Sequence, residues 1–225
     1  MYEVQDLSTR IRRIRLMGKG LRGLKWSPGD KVKLRVDGKS RSYTPSAVDR
    51  DAGWMDIIFF LHGNGTASRW AGAAEVGTPA VVSKPEKSIK RYKKKPDWAL
   101  FLGDETTLGL CSALLTSLPT GTVVLGAIEV EPQDVNAISK LGLPLSAAVR
   151  QDHYGDALID WLGLNTLPDG DGIVWISGES VTVRTLKRML DARDLGKTVV
   201  KSKGYWKSKR RAVSTAPSHQ RAAAK

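Results

Sequence analysis

The hydrophobic period of this chain changes near residue 96, and that change limits the folds open to it. Before it, apolar residues come in short alternating runs: IRRIRL at 11–16, KVKLRV at 31–36 and MDIIFFL at 55–61. Trp26-Ser27-Pro28-Gly29-Asp30 and Val36-Asp37-Gly38-Lys39 separate them as turn signals. Short strands at about ten-residue spacing predict an antiparallel sandwich or barrel. Beyond residue 96, WALFL (98–102), TVVLGAIEV (122–130), PLSAAV (144–149) and GIVWIS (172–177) read as strands. Between and after them, TLGLCSALLTSL (107–118), PQDVNAISKL (132–141), DALIDWLGL (156–164) and ESVTVRTLKRML (179–190) read as helices. This alternation predicts a parallel sheet with helices on both faces. Sheets of that kind bind ligands outside the carboxyl ends of their strands, where strand order reverses.

Charge divides the chain at the same place. With 36 Lys+Arg against 23 Asp+Glu the net charge is +13, which first suggests a polyanion such as nucleic acid. The distribution argues otherwise. Residues 1–50 are at +8, 51–83 at −2, 84–95 at +6, 96–200 at −7 and 201–225 at +8. The expected layout is an antiparallel β domain over 1–95, an α/β domain over 96–206 and a basic tail over 207–225. The Ser/Pro/Ala-rich composition from Ala212 onward predicts disorder. A basic nucleic-acid-binding module without enzymatic activity stays as a competing class.

Cys111 is the only cysteine, which excludes an internal disulfide, a Cys-rich zinc site and a protein-held iron–sulfur cluster. No run reaches the ~18–20 apolar residues of a bilayer span. The charged stretch Met1 to Arg15 lacks the apolar core of a secretory signal, so a cytoplasmic protein without membrane insertion is expected.

Several motifs fall at turns. Gly18-Lys19-Gly20-Leu21-Arg22-Gly23 matches G-x-G-x-x-G, but Pro28-Gly29 follows where a helix would be needed, and a glycine-rich turn explains it. Arg41-Ser42-Tyr43-Thr44-Pro45 sets a guanidinium and a hydroxyl along one strand, with a ring on the other face. Leu61 to Ala71 (LHGNGTASRWA) runs from a strand into a helix, with Ser68 as the expected N-cap and free N–H groups suited to a phosphate. Its Asn64-Gly65-Thr66 sequon carries no weight without a secretory signal. Leu102-Gly103-Asp104-Glu105-Thr106 and Ile176-Ser177-Gly178-Glu179-Ser180 are two glycine–acid turns on one sheet edge. Acids there also complement a helix dipole. Glu129 and Glu131 end a strand where an acid can bond ribose hydroxyls, but a solvated strand end is the preferred reading.

The ordered set RSYT, HGNGTASRWA, LGDET, WISGES with its VRTLKRML helix, and GYW resembles the siderophore-interacting proteins, a branch of the ferredoxin–NADP reductase superfamily. The resemblance covers about residues 10–206. It implies a flavoprotein with an FAD-binding β-barrel and an NADH- or NADPH-binding domain, reducing a ferric siderophore as its small-molecule substrate and acting on no nucleic acid. A monomer is the simplest expectation.

On that resemblance Arg41, Ser42, Tyr43 and Thr44 hold FAD, with Arg41 on the diphosphate and Tyr43 against the flavin or its ribityl chain. His62, Gly63, Gly65, Thr66, Ala67, Ser68 and Ala71 form the second FAD segment. Gly103, Asp104, Glu105 and Thr106 line the nicotinamide side, with Asp104 and Thr106 also reaching the flavin. Ser177, Gly178 and Glu179 do the same from the later strand, and Arg184 is a candidate for nucleotide phosphate. Tyr205 and Trp206 close the far face of the flavin or the substrate pocket. Lys201, Lys203 and Lys207 are expected to attract an anionic chelate. No proton-transfer residue is implied.

The chain departs from the family at Ser83-Lys84-Pro85-Glu86, at Leu108-Gly109, where Pro-Ala is usual, and at Lys207, where glycine is common. A reductase of the same fold acting on another acceptor is the alternative. The lysine run KSIKRYKKK at 87–95 has no assigned ligand.

Overall fold

A computed structural model describes residues 1–63 and 65–208. Asn64 of the sequon, the basic cluster Lys209, Arg210 and Arg211, and the tail 212–225 lie outside the described residues.

The first half forms strands β1 (Glu3–Asp6), β2 (Ile11–Met17), β3 (Val32–Val36), β4 (Lys39–Tyr43), β5 (Ala47–Asp49) and β6 (Trp54–Phe60), helix α1 (Thr66–Ala73) and strand β7 (Val81–Val82). They make two antiparallel sheets, ordered β1-β2-β6-β5 and β4-β3-β7. Alternation sets the faces: Val32, Leu34 and Val36 are buried while Lys33 and Arg35 point to water. Asp37 and Gly38 join β3 to β4 with φ of 46° and 71°, as a tight hairpin turn with two left-handed residues requires. Ile14, Leu34, Ile57 and Phe59 from the two sheets close on Ala67 and Ala71 of α1 in one core.

Helix α1 begins at Thr66 with Gly65 as its cap, not at Ser68. The Ser68 hydroxyl instead accepts the Gly63 N–H from inside the first turn, at 3.0 Å. The glycine-rich stretch at 18–23 holds only a short 3₁₀ turn over Lys19–Leu21.

The second half alternates β8 (Trp98–Asp104), α2 (Leu108–Thr116), β9 (Val123–Val130), α3 (Asn136–Lys140), β10 (Ser146–Val149), α4 (Asp156–Leu164), β11 (Gly172–Glu179), α5 (Ser180–Asp191) and β12 (Val199–Trp206). Its five strands are parallel, in the order β10-β9-β8-β11-β12. Strand order therefore reverses between β8 and β11. Both strands are buried along their whole length, as an apolar strand covered on two faces must be. Phe101, Ile128 and Trp175 pack on α2 and α3, on the side that also meets Ile11 and Ile58 of the first half. Leu100, Leu102, Val174 and Ile176 pack on α4 and α5.

The lysine run finds its partners within the chain. Ile89 is buried and Tyr92 packs against the core beside it. From β12 the Lys201 ammonium donates to the carbonyls of Lys90 (3.0 Å) and Arg91 (3.1 Å), and Lys203 donates to the Ser88 hydroxyl (2.8 Å). The connection between the halves is thus fastened along the edge strand of the parallel sheet.

Candidate functional site

The carboxyl ends of β8, β9, β10 and β12 face the end of β4 and the turn after β6, and between them lies a cavity of about 560 Å³. The first half lines it with Arg10, Arg41, Ser42, Tyr43, Thr44 and His62, the second with Glu105, Thr106, Glu131, Arg150, Tyr154 and Trp206 among others. The cavity sits where a parallel sheet with reversed strand order offers one.

Tyr43 ends β4 with its ring 4.6 Å from that of Phe59. Burial pushes its phenol up to about 12, so it stays neutral. Thr44 follows, buried, its hydroxyl 3.1 Å from that of Tyr205. A Cβ at Gly109 would lie 2.4 Å from the Thr44 carbonyl oxygen. Glycine at this departure from the family pattern lets the first turn of α2 abut the β4 segment.

The two glycine–acid turns prove to be one assembly. Asp104, fully buried at the end of β8, accepts the Thr106 N–H (3.0 Å) and hydroxyl (2.5 Å) on one oxygen. Its other oxygen accepts the Glu179 N–H and the Trp206 indole N–H, both at 2.9 Å. Gly178, at φ 127°, has no room for a side chain: a Cβ would lie 2.3 Å from that second oxygen. Burial raises the Asp104 pKa, and these donors pull against it. Glu179 caps α5 through the N–H groups of Val181 (2.6 Å) and Thr182 (2.9 Å) and accepts the Ser208 N–H at 3.1 Å. The Ser177 hydroxyl donates to the Lys203 carbonyl at 2.8 Å.

Beside this assembly Arg150 joins three acids. It donates to Glu105 (2.5 Å), Glu131 (3.1 Å) and Glu129 (3.3 Å) and lies 4.7 Å from the Tyr154 ring centre. Burial disfavours its cation, but the three carboxylates outweigh burial and raise its pKa. Glu105 is 2% exposed, and burial together with Asp104 pushes its carboxyl up to about 7 despite Arg150. The preferred reading of Glu129 as a solvated strand end is corrected here. Glu129 is 1% exposed and takes the Gly155 N–H on both oxygens, at 2.9 and 3.0 Å.

The sequence-derived candidates thus separate by position. Arg41, Ser42, Tyr43, Thr44, His62, Glu105, Thr106 and Trp206 line the cavity. Gly63, Gly65 and Thr66 form the turn entering α1, Ser68 braces it, and Ala67 and Ala71 pack in the core beneath. Gly103, Asp104, Ser177, Gly178 and Glu179 build the wall behind the lining residues. Arg184 is exposed on α5 and is not a lining residue. Lys201 is engaged by the joint, and Lys207 is exposed just past β12. Lys203 with Lys31 lines a second cavity of about 150 Å³ that shares Ser42, Tyr43, Thr44 and Tyr205 with the first.

Arg10, Arg150 and Tyr154 escaped the sequence reading. Arg150 directly follows a strand of the parallel sheet, a position that could have flagged it. Arg10 carries no such signal, because its partner Asp134 is distant in sequence.

A family model described as "Siderophore-interacting protein" matches residues 96–209, and one described as "Siderophore-interacting FAD-binding domain" matches 35–89. The NADPH-dependent ferric-chelate reductase of Escherichia coli (strain K12) is 28% identical over 205 residues, 83% of this chain and 71% of that protein. The siderophore-interacting protein SipS from Aeromonas hydrophila superposes with a TM-score of 0.74 at 25% identity, covering 92% of this chain and 96% of that one. A siderophore utilization protein from T. fusca gives 0.73 at 23%, covering 93% and 92%. Phthalate dioxygenase reductase shares the fold at 0.69 and 12% identity, covering 89% and 65%.

Proposed function

The chain belongs to the siderophore-interacting protein family, and on that premise we propose that it is a cytoplasmic reductase that takes electrons from NADH or NADPH through FAD and passes them to a ferric siderophore. The observation that carries this reading is the single cavity in which the β4 segment, the turn before α1 and the carboxyl edge of the parallel sheet meet. A route from nucleotide to cofactor to chelate needs those three surfaces within one enclosure.

The residues present fit FAD. Among the described residues the Arg41 guanidinium has its hydrogen bond only with the neighbouring Ser40 carbonyl (3.0 Å), which leaves its cation available to a diphosphate. Among the described residues no side chain caps helix α1, so its first turn offers N–H groups and the positive end of its dipole to the same charge. Tyr43 and Thr44 supply a ring and a hydroxyl beyond that point. When bound, FAD accepts two electrons from a nicotinamide and gives them up singly, which a one-electron acceptor such as Fe(III) needs.

The chain's own residues position and enclose. Thr106, held by Asp104, sets the floor of the cavity on the nucleotide side. Trp206, fixed by its indole bond to Asp104 and edge-on to Tyr154 at 4.8 Å, lines the cavity beside it. Lys203 and Lys31 bring positive charge to the adjoining smaller cavity, where an anionic chelate would be drawn.

The reading is tested by adding FAD to purified protein. A flavin spectrum that persists through gel filtration, with affinity at least tenfold lower in Arg41→Ala, is the expected result. Protein that retains no flavin would refute it.

A further inference from the structure

This inference rests on the reductase reading above and concerns a proton that the reading leaves over. NAD(P)H gives up a hydride, and two ferric centres each take one electron. One proton therefore remains in the cavity for every nucleotide oxidised, and some group must take it.

The acids along the carboxyl edge differ in how they are satisfied. Asp104 holds four donor bonds, Glu179 is tied to three backbone N–H groups, and Glu129 accepts Gly155 and Arg150. Glu105 is the exception. Its Oε2 accepts Arg150, while its Oε1 is buried with no hydrogen-bond partner among the described residues. Folded proteins seldom leave a buried polar atom unmatched, and where one persists a functional role is a standing explanation.

We propose that Glu105 accepts the leftover proton. The nucleotide's C–H bond breaks to give the hydride, and once its two electrons have passed to two ferric centres the proton left over forms an O–H bond at the unmatched Oε1; the acid discharges to solvent when the oxidised nucleotide leaves and water refills the cavity. The neighbours allow both states. Burial favours the acid most strongly, Arg150 favours the anion and Asp104 favours the acid, while Glu129 and Glu131 share the Arg150 cation with it. The outcome is a carboxyl poised at about 7, where it can both take and return a proton near neutrality. Arg10 and His62 face the cavity from the other half. Burial lowers the His62 pKa, so its imidazole is neutral and is the rival acceptor.

The test mixes NADPH-reduced holoprotein with ferric citrate in a stopped-flow instrument, following the flavin and a pH-indicator dye together. Wild type should release one proton per nucleotide, with a rate that rises as pH passes about 7. Glu105→Gln should slow release about 100-fold and lose the pH step, while His62→Gln, whatever it does to the rate, should keep the step. Release from Glu105→Gln at the wild-type rate and profile, or loss of the step in His62→Gln, would overturn the proposal.

Difference infrared spectra of wild type give a reading that does not depend on the variants folding. A protonated carboxyl band should appear on reoxidation and shift with ¹³C-labelled glutamate but not with labelled aspartate. Absence of that band also overturns the proposal. Protein with no flavin absorbance before mixing refutes the reductase reading itself, and the role of Glu105 falls with it.

Discussion

The hydroxyl of Tyr205 lies 3.1 Å from that of Thr44, so the last strand of the parallel sheet touches the antiparallel half where the flavin segment is read. Tyr205→Phe removes that bond and the hydroxyl's hydrogen bond with Ser177. The expected cost is about 1 kcal/mol of stability, with a loss of FAD affinity of a few-fold. Urea unfolding of the flavin-free protein and a flavin titration check both, and an unchanged FAD affinity would count against Tyr205 organising the β4 segment.

Asp134 clasps the two halves at a second point. It is fully buried and accepts the Ser8 hydroxyl (2.6 Å), the Arg10 backbone N–H (3.2 Å) and the Arg10 guanidinium (3.0 and 2.8 Å). Asp134→Ala leaves the Arg10 cation without its main partner. Because the Arg10 side chain is 28% exposed, water compensates in part and a loss on the order of 2 kcal/mol is expected. Calorimetry should show a lower unfolding midpoint, and a change of less than about 0.5 kcal/mol would contradict the clasp.

Glu105 should leave its mark on stability against pH. Its carboxyl sits at about 7 in the fold against an ordinary 4.5, so the folded chain binds this proton more tightly than the unfolded one. The stabilisation is whole below about pH 4.5 and is lost as pH rises to about 7, on the order of 3 kcal/mol. Burial shifts Asp104 and Glu129 in the same direction. Wild type should therefore lose stability between about pH 5 and pH 7, and Glu105→Gln should show a shallower slope. Parallel curves would contradict the shifted carboxyl.

Lys201 fastens the joint through two carbonyls. Lys201→Met keeps much of the apolar stem that lies near Tyr92 but removes the donors. Limited trypsin digestion should then cut faster within residues 87–95, by several-fold, while flavin affinity holds. Equal cleavage rates in both proteins would contradict a fastening role for Lys201.

The change of period at residue 96 carried most of the fold, because buried parallel strands and half-exposed antiparallel ones bury different faces. Strand β12 escaped that pattern. Its residues are only partly buried at the sheet edge, and lysines interrupt its apolar residues, so no apolar run announces a strand. The lining residues Arg41 to Thr44 and Glu105 to Thr106 were legible because each sits in a compact motif. The Arg150 network and the Arg10–Asp134 clasp were not, since their members lie 19 to 124 positions apart and only the folded sheet edge brings them together. Glu179 and Asp104 were legible as edge acids, but their work as caps and braces depends on backbone N–H groups that no side-chain motif announces.

The central claim is that electrons pass from nucleotide to chelated iron through this one cavity. Its most direct measurement is anaerobic: reduce the FAD-loaded protein with NADH or NADPH, add a ferric siderophore, and follow the flavin absorbance together with Fe(II) trapped by a chromogenic chelator. The account predicts that the nucleotide bleaches the flavin, the ferric siderophore restores it, and two Fe(II) appear per nucleotide. A reduced flavin that ferric siderophores leave untouched while another acceptor oxidises it would contradict the account.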